Sequence, residues 1–223
     1  MTLTNDAPAR RVRRLADRQV TDRDALYRLL DDQLVGHLAA VADGMPIVVP
    51  MAYARVGDDL LLHGSTGGGF ALRAVETRAP VAFAVTSLDG VVVARSLYDS
   101  SMNYRSAVAY GTLEPVDDPT AALDALADRL IPGRGAEVRA NTRREVAGTR
   151  VLRLALDDVV MKARAGGPSE APDDGEDRSV WAGVVPLAPA WGEPVASELT
   201  PEQTPMPESV VALMRSRARL PTL

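Results

Sequence analysis

The chain is expected to fold as a mainly β protein of the α+β class, a small antiparallel barrel of about six strands with flanking helices. Short apolar runs between residues 36 and 63 are separated by Asp43-Gly44 and Gly57-Asp58, and such pairs close tight hairpins. Helical patterns come singly and late, so the strand–helix alternation of a doubly wound sheet is missing. The 223 residues are 46% hydrophobic, enough to bury a core.

Residues 1–18 are polar and Arg-rich and read as a flexible N-terminal arm. Thr21 and Asp22 precede Ala25, Leu26, Leu29 and Leu30 at helical spacing, which predicts a capped helix over 22–33. Residues 36–42, 45–55 and 59–63 then form a three-stranded meander. A short helix is expected over 70–78, a strand over 81–86, a turn at Asp89-Gly90 and a strand over 91–94. Tyr104 to Val116 reads as one long strand with a bend at Gly111. Asp117–Pro119 breaks it and starts a helix that places Leu123, Leu126 and Leu130 on one face. Thr149 to Val159 is the last strand of a domain spanning 19–165. From 166 to 223, Pro, Glu and Asp dominate, with scattered anchors such as Trp181, Val184 and Trp191. Such a tail cannot build its own core and is expected to pack on the barrel or on a partner subunit.

Composition excludes several classes. A net charge of −5 argues against a dedicated nucleic-acid binder, whose phosphate contacts need a basic face. The absence of cysteine removes disulfides and thiolate metal sites. His37 and His63 are the two histidines, too few for a histidine metal cluster. Without a signal pattern or an apolar run of about 18 residues, a cytoplasmic location without membrane contact is expected.

Leu60 to Ala74, LLLHGSTGGGFALRA, carries the strongest functional signal. An apolar strand ends at His63, Gly64-Ser65-Thr66-Gly67-Gly68-Gly69 follows, and a helical pattern opens at Phe70. Glycines let backbone amides approach a ligand, and successive N–H groups before a helix favour an anion, typically a phosphate. No Lys follows the glycines, so this is not a nucleoside-triphosphate loop.

The order GHLAAV, DG, MPIVVPMAY, GDDLLLHGSTGGG, SSMNYRSAVAYG, helix, MKARAGG and VWAGVVPL resembles the flavin-binding split-barrel proteins related to pyridoxamine 5′-phosphate oxidase, most closely their nitroimidazole-resistance branch. The likeness spans roughly residues 20 to 190. It implies a homodimer of six-stranded split barrels with FMN in a groove between subunits. By that resemblance Val49, Pro50, Met51 and Tyr53 lie beside the flavin ring. His63, Gly64, Ser65, Thr66, Gly67, Gly68 and Gly69 meet the phosphate and ribityl chain. Asn103, Tyr104, Arg105 and Ser106 supply polar or basic contacts, and Lys162 and Trp181 close the site. The oxidases carry Ser-Arg-Lys where Gly67-Gly68-Gly69 stand here, so the phosphate charge falls to Arg73, Arg105, Lys162 or Arg164, and pyridoxamine phosphate is not the expected substrate.

The function implied is an FMN-dependent oxidoreductase acting on a small molecule. The flavin does the chemistry while the protein binds and orients, and His63 is positioned to donate a proton. The alternatives are a flavin- or haem-binding module without turnover, since split barrels host both, and a deazaflavin-dependent reductase.

Overall fold

Helix α1 (Arg23–Asp32) forms because Asp22 caps it and its apolar residues share one face. The Asp22 carboxylate accepts from the Asp24 amide at 3.0 Å, and Leu26, Leu29 and Leu30 are buried. The computed structural model describes residues 15–65, 70–169 and 177–216. Gln19–Val20, just before the helix, is the short strand β1.

Strands β2 (Val35–Ala42) and β3 (Met45–Val56) form the expected hairpin. Asp43 (φ 51°) and Gly44 (φ 76°) supply the two left-handed residues that such a loop requires. Strand β4 (Asp59–Ser65) follows the Gly57 turn, then α2 (Phe70–Glu76). Strands β5 (Pro80–Val93), β6 (Ser101–Thr112) and β7 (Glu114–Pro115) lead to α3 (Pro119–Leu130). The remainder is α4 (Arg143–Ala147), β8 (Thr149–Ala155), β9 (Asp158–Arg164), β10 (Gly183–Pro186) and α5 (Glu208–Ser216).

All strands join one antiparallel sheet in the order β1-β9-β6-β5-β2-β3-β4-β8-β7, with β10 added on β5. The fold class is as expected; among the described residues ten strand segments stand against the six anticipated, because β1, β7 and β10 are short additions and one expected strand is divided in two. Two further differences have local causes. Asp89-Gly90 is not a turn: β5 runs through it with a register shift between Leu88 and Gly90, because Arg105 and Ser87 hold the Asp89 carboxylate in place and the extra residue becomes a bulge. The last expected strand is two, β8 and β9, separated at Leu156 and Asp157.

The sheet divides along β3. This strand pairs with β2 over residues 45–52 but with β4 only over 53–56. Pro46 and Pro50 lie in the half with a single described strand neighbour, where a missing backbone donor costs least. The main core contains Leu26, Leu38, Tyr53, Leu62, Phe83 and Leu154. Tyr53 and Phe83 meet edge to face, with centroids 5.2 Å apart, a geometry worth about 0.5–1.5 kcal/mol beyond burial. A second core of Ala54, Leu61, Ala122, Leu126 and Val151 packs α3 on the opposite face of β4. Among the described residues no helix is long and apolar enough to cross a membrane.

Candidate functional site

Alternation along β4 decides which way each residue points. Leu60 and Leu62 enter the main core, whereas Leu61 joins the second core under α3. His63 therefore continues the α3 side. It is exposed and lines a cavity of about 270 Å³ with Leu34, Leu123, Leu126, Leu130 and Arg129. Ala52, Tyr53, Ala127, Asn141, Glu145 and Thr149 complete the wall. The site is thus one imidazole among leucines with a few polar groups, the composition of a small-molecule pocket.

Helix α4 walls this cavity and is fixed by a capping box. The Thr142 amide donates to Glu145 at 2.8 Å and the Glu145 amide to the Thr142 hydroxyl at 3.3 Å. The Arg139 guanidinium grips the same carboxylate at 2.7 and 2.9 Å. Hydrogen bonding to Arg139, then to Thr142, holds the Glu145 carboxyl down at about 2.

Gly64 stands opposite Arg150, and Ser65 opposite Thr149. Gly64 lacks a left-handed φ, and a Cβ added there would meet no atom of the described residues within 4 Å. Among the described residues, neither conformation nor packing requires glycine at this position. Thr66, Gly67, Gly68 and Gly69 lie outside the described residues.

The expected residues of β3 divide by face. Pro50 is exposed opposite His37. Val49 is half-buried, and Met51 packs against the main core. Tyr53 is buried, and its hydroxyl donates to the Leu30 carbonyl at 2.7 Å.

The β6 residues form a separate group. Ser106 sits between Thr86 and Lys162 in register, and Tyr104 between Leu88 and Arg164. Asn103 is buried. It donates to the Gly166 carbonyl at 3.1 Å and accepts from Arg164 at 2.5 Å, and Arg164 also donates to the Gly167 carbonyl at 2.8 Å. Arg105 is expected as a phosphate cation, but it is already committed. It makes a two-pronged pair with Asp89 at 2.9 and 3.0 Å and another bond to Asp32 at 2.8 Å. These partners, Asp89 first, raise its pKa further above the ordinary value. One guanidinium between two carboxylates leaves no surplus positive charge for a phosphate. Trp181 is 63% exposed, with its indole against Gly183 at the start of β10.

Three strands separate β4 from β6 in the hydrogen-bonded order, while β8, the other neighbour of β4, also packs against β6. Arg129, Asn141, Glu145 and Thr149 are cavity residues that the sequence reading missed. Arg129 gives no local signal, because its carbonyl partners lie nearly a hundred residues earlier, on α1 and just beyond it.

A search of curated proteins finds no match. Among solved structures, the FAD and heme binding protein from Mycobacterium smegmatis is 46% identical over 88% of this chain and 97% of its own, with a TM-score of 0.83. The flavocytochrome Anf3 from Azotobacter vinelandii is 27% identical over 93% and 97%, with a TM-score of 0.86. A protein assigned to 5-nitroimidazole antibiotic resistance in Bacteroides thetaiotaomicron is 19% identical over 65% and 86%, at 0.55, and shows the shared fold alone. Residues 22–163 match the model of the family described as Pyridoxamine 5′-phosphate oxidase. That match runs from the cap of α1 into β9, and the chain belongs to this family.

Proposed function

We propose that the protein is a flavin-binding electron-transfer protein that also carries a haem. The observation that carries this reading is the 46% identity, over nearly the whole of both chains, to a protein that binds FAD and heme. The flavocytochrome similarity points the same way. FAD is therefore the first candidate flavin, ahead of the FMN implied by the sequence resemblance. A bound flavin accepts and passes on electrons, while the protein supplies binding, orientation and electrostatics.

Each group has a candidate contact among the described residues. Gly64 leaves its backbone clear where a cofactor chain can approach. For haem, an axial ligand is needed, and cysteine is absent. His63 faces an aliphatic cavity, whereas His37 stands on an outer sheet face opposite Pro50 and Ala84. His63 is the better axial ligand. Its exposure directly before Gly64 favours a second reading, in which it donates a proton to an acceptor at the flavin.

A homodimer is part of the proposal. Val35 and Val41 on β2 and Val48 on β3 are 51%, 62% and 59% exposed. With Pro46 and Pro50 they form one apolar outer face, of the kind that marks an interaction surface.

The test is the cofactor content of the purified protein. Denaturation should release FAD, identified by its chromatographic position and by the fluorescence gain on cleavage to FMN. A Soret band near ~400 nm should mark the haem. Release of FMN alone, without a Soret band after incubation with hemin, would reject the reading.

A further inference from the structure

Among the described residues, one arginine of the sheet is left without an acceptor. Arg55 pairs with Asp31, Arg105 with Asp89 and Asp32, and Arg153 with Asp59 and Glu114. Arg164 is spent on Asn103 and on the Gly166 and Gly167 carbonyls. Arg150, on β8, is exposed and meets no acceptor among these residues. It stands directly opposite Gly64. The preceding pair on that face, Leu62 and Leu152, lies in the main core, so Gly64 and Arg150 continue the same face at the rim of the barrel. His63 points to the other face, toward its cavity under α3. Glycine leaves its half of the Gly64–Arg150 pair empty: a Cβ on Gly64 would meet no atom of the described residues within 4 Å. An unneutralised guanidinium therefore borders an open notch in the backbone at the end of β4.

We infer that Arg150 is the phosphate cation of the flavin site and that the notch at Gly64 admits the phosphate it holds. A guanidinium fork matches two phosphate oxygens, and a glycine opposite it gives an anion room to approach the backbone. Of the cations expected for this role, Arg105 is shared by two carboxylates and Arg164 is committed to carbonyls. The whole molecule carries a net charge of −5 and does not attract a phosphate by its overall field, so a local cation is required. The inference rests on the flavin reading above and adds the residue that separates a phosphorylated flavin from riboflavin.

The experiment titrates the full-length protein with riboflavin, FMN and FAD, followed by flavin fluorescence. The unmodified chain should bind FMN and FAD more tightly than riboflavin by about tenfold or more, the scale of a charge-assisted hydrogen bond. Arg150→Gln should weaken FMN and FAD by that factor and leave riboflavin unchanged, and Arg150→Lys should restore part of the difference. If Arg150→Gln does not fold, Arg150→Lys carries the test through a smaller loss confined to the phosphorylated flavins. Equal binding of all three flavins by the unmodified chain overturns the anchor and leaves the flavin reading standing. So does an Arg150→Gln variant that binds FMN and FAD as the parent does, or one that loses riboflavin to the same degree. If no flavin binds, the flavin reading fails, and pyrophosphate binding is measured by calorimetry. Binding that Arg150→Gln abolishes then supports the notch as a site for another phosphate, and unaltered or absent binding overturns it.

Discussion

At the scale of single residues, Gly64 bears most directly on function. Gly64 has ordinary backbone angles and open space where its Cβ would stand. Gly64→Ala should therefore leave the melting temperature unchanged or raise it, since alanine lowers unfolded-chain entropy by about 0.4–1 kcal/mol. The same change should weaken flavin binding at least threefold in a fluorescence titration. Unchanged flavin affinity would make the glycine incidental. Gly36 behaves oppositely: a Cβ there would lie 2.2 Å from the Phe83 ring, so its conservation of space serves the core. Both glycines are plain in the sequence, but only three-dimensional packing separates their roles.

At the scale of elements, α4 makes the cavity wall sensitive to acid. The Glu145 carboxyl sits at about 2, below its ordinary 4.5. Its interactions with Arg139 and Thr142 thus stabilise the fold fully above pH ~4.5 and are lost as pH falls through about 2. An NMR titration of the folded protein should place this carboxyl near 2, and Arg139→Gln should return it toward the ordinary value. A titration near 4.5 in the unmodified protein would contradict the pairing. Helix α5 is held by another acid, as Glu137 accepts from the Ser209 amide at 3.0 Å and its hydroxyl at 2.5 Å. Glu137→Ala should release it, seen as faster tryptic cutting after Arg215. Hairpins and helix faces were legible in the sequence because turn pairs and helical spacing act locally. Asp89-Gly90 misled because a turn pair and a bulge look alike until Arg105, distant along the chain, takes the Asp89 carboxylate. The cavity was not legible for the same reason: α3, α4 and the end of β4 meet only in the fold, and Leu130, expected on one helix face with Leu123 and Leu126, is 46% exposed and lines the cavity.

At the scale of the whole molecule, an antiparallel sheet that divides at β3 leaves two groups of polar residues on separate strands and one apolar face uncovered. If that face joins two copies, sedimentation velocity should show a dimer at micromolar concentration. Val48→Glu on the face should shift the distribution toward monomer with the far-ultraviolet spectrum unchanged. A monomeric parent protein would remove the dimer from the account. The central claim, two electron-carrying groups on one split barrel with His63 serving the haem, is tested most directly by absorption spectra after reconstitution with hemin and FAD. The unmodified protein and His37→Ala should both show flavin absorbance near ~450 nm and a Soret band near ~400 nm. His63→Ala should keep the flavin band and lose or shift the Soret band. An unaltered Soret band in His63→Ala, or none in the unmodified protein, would contradict the account.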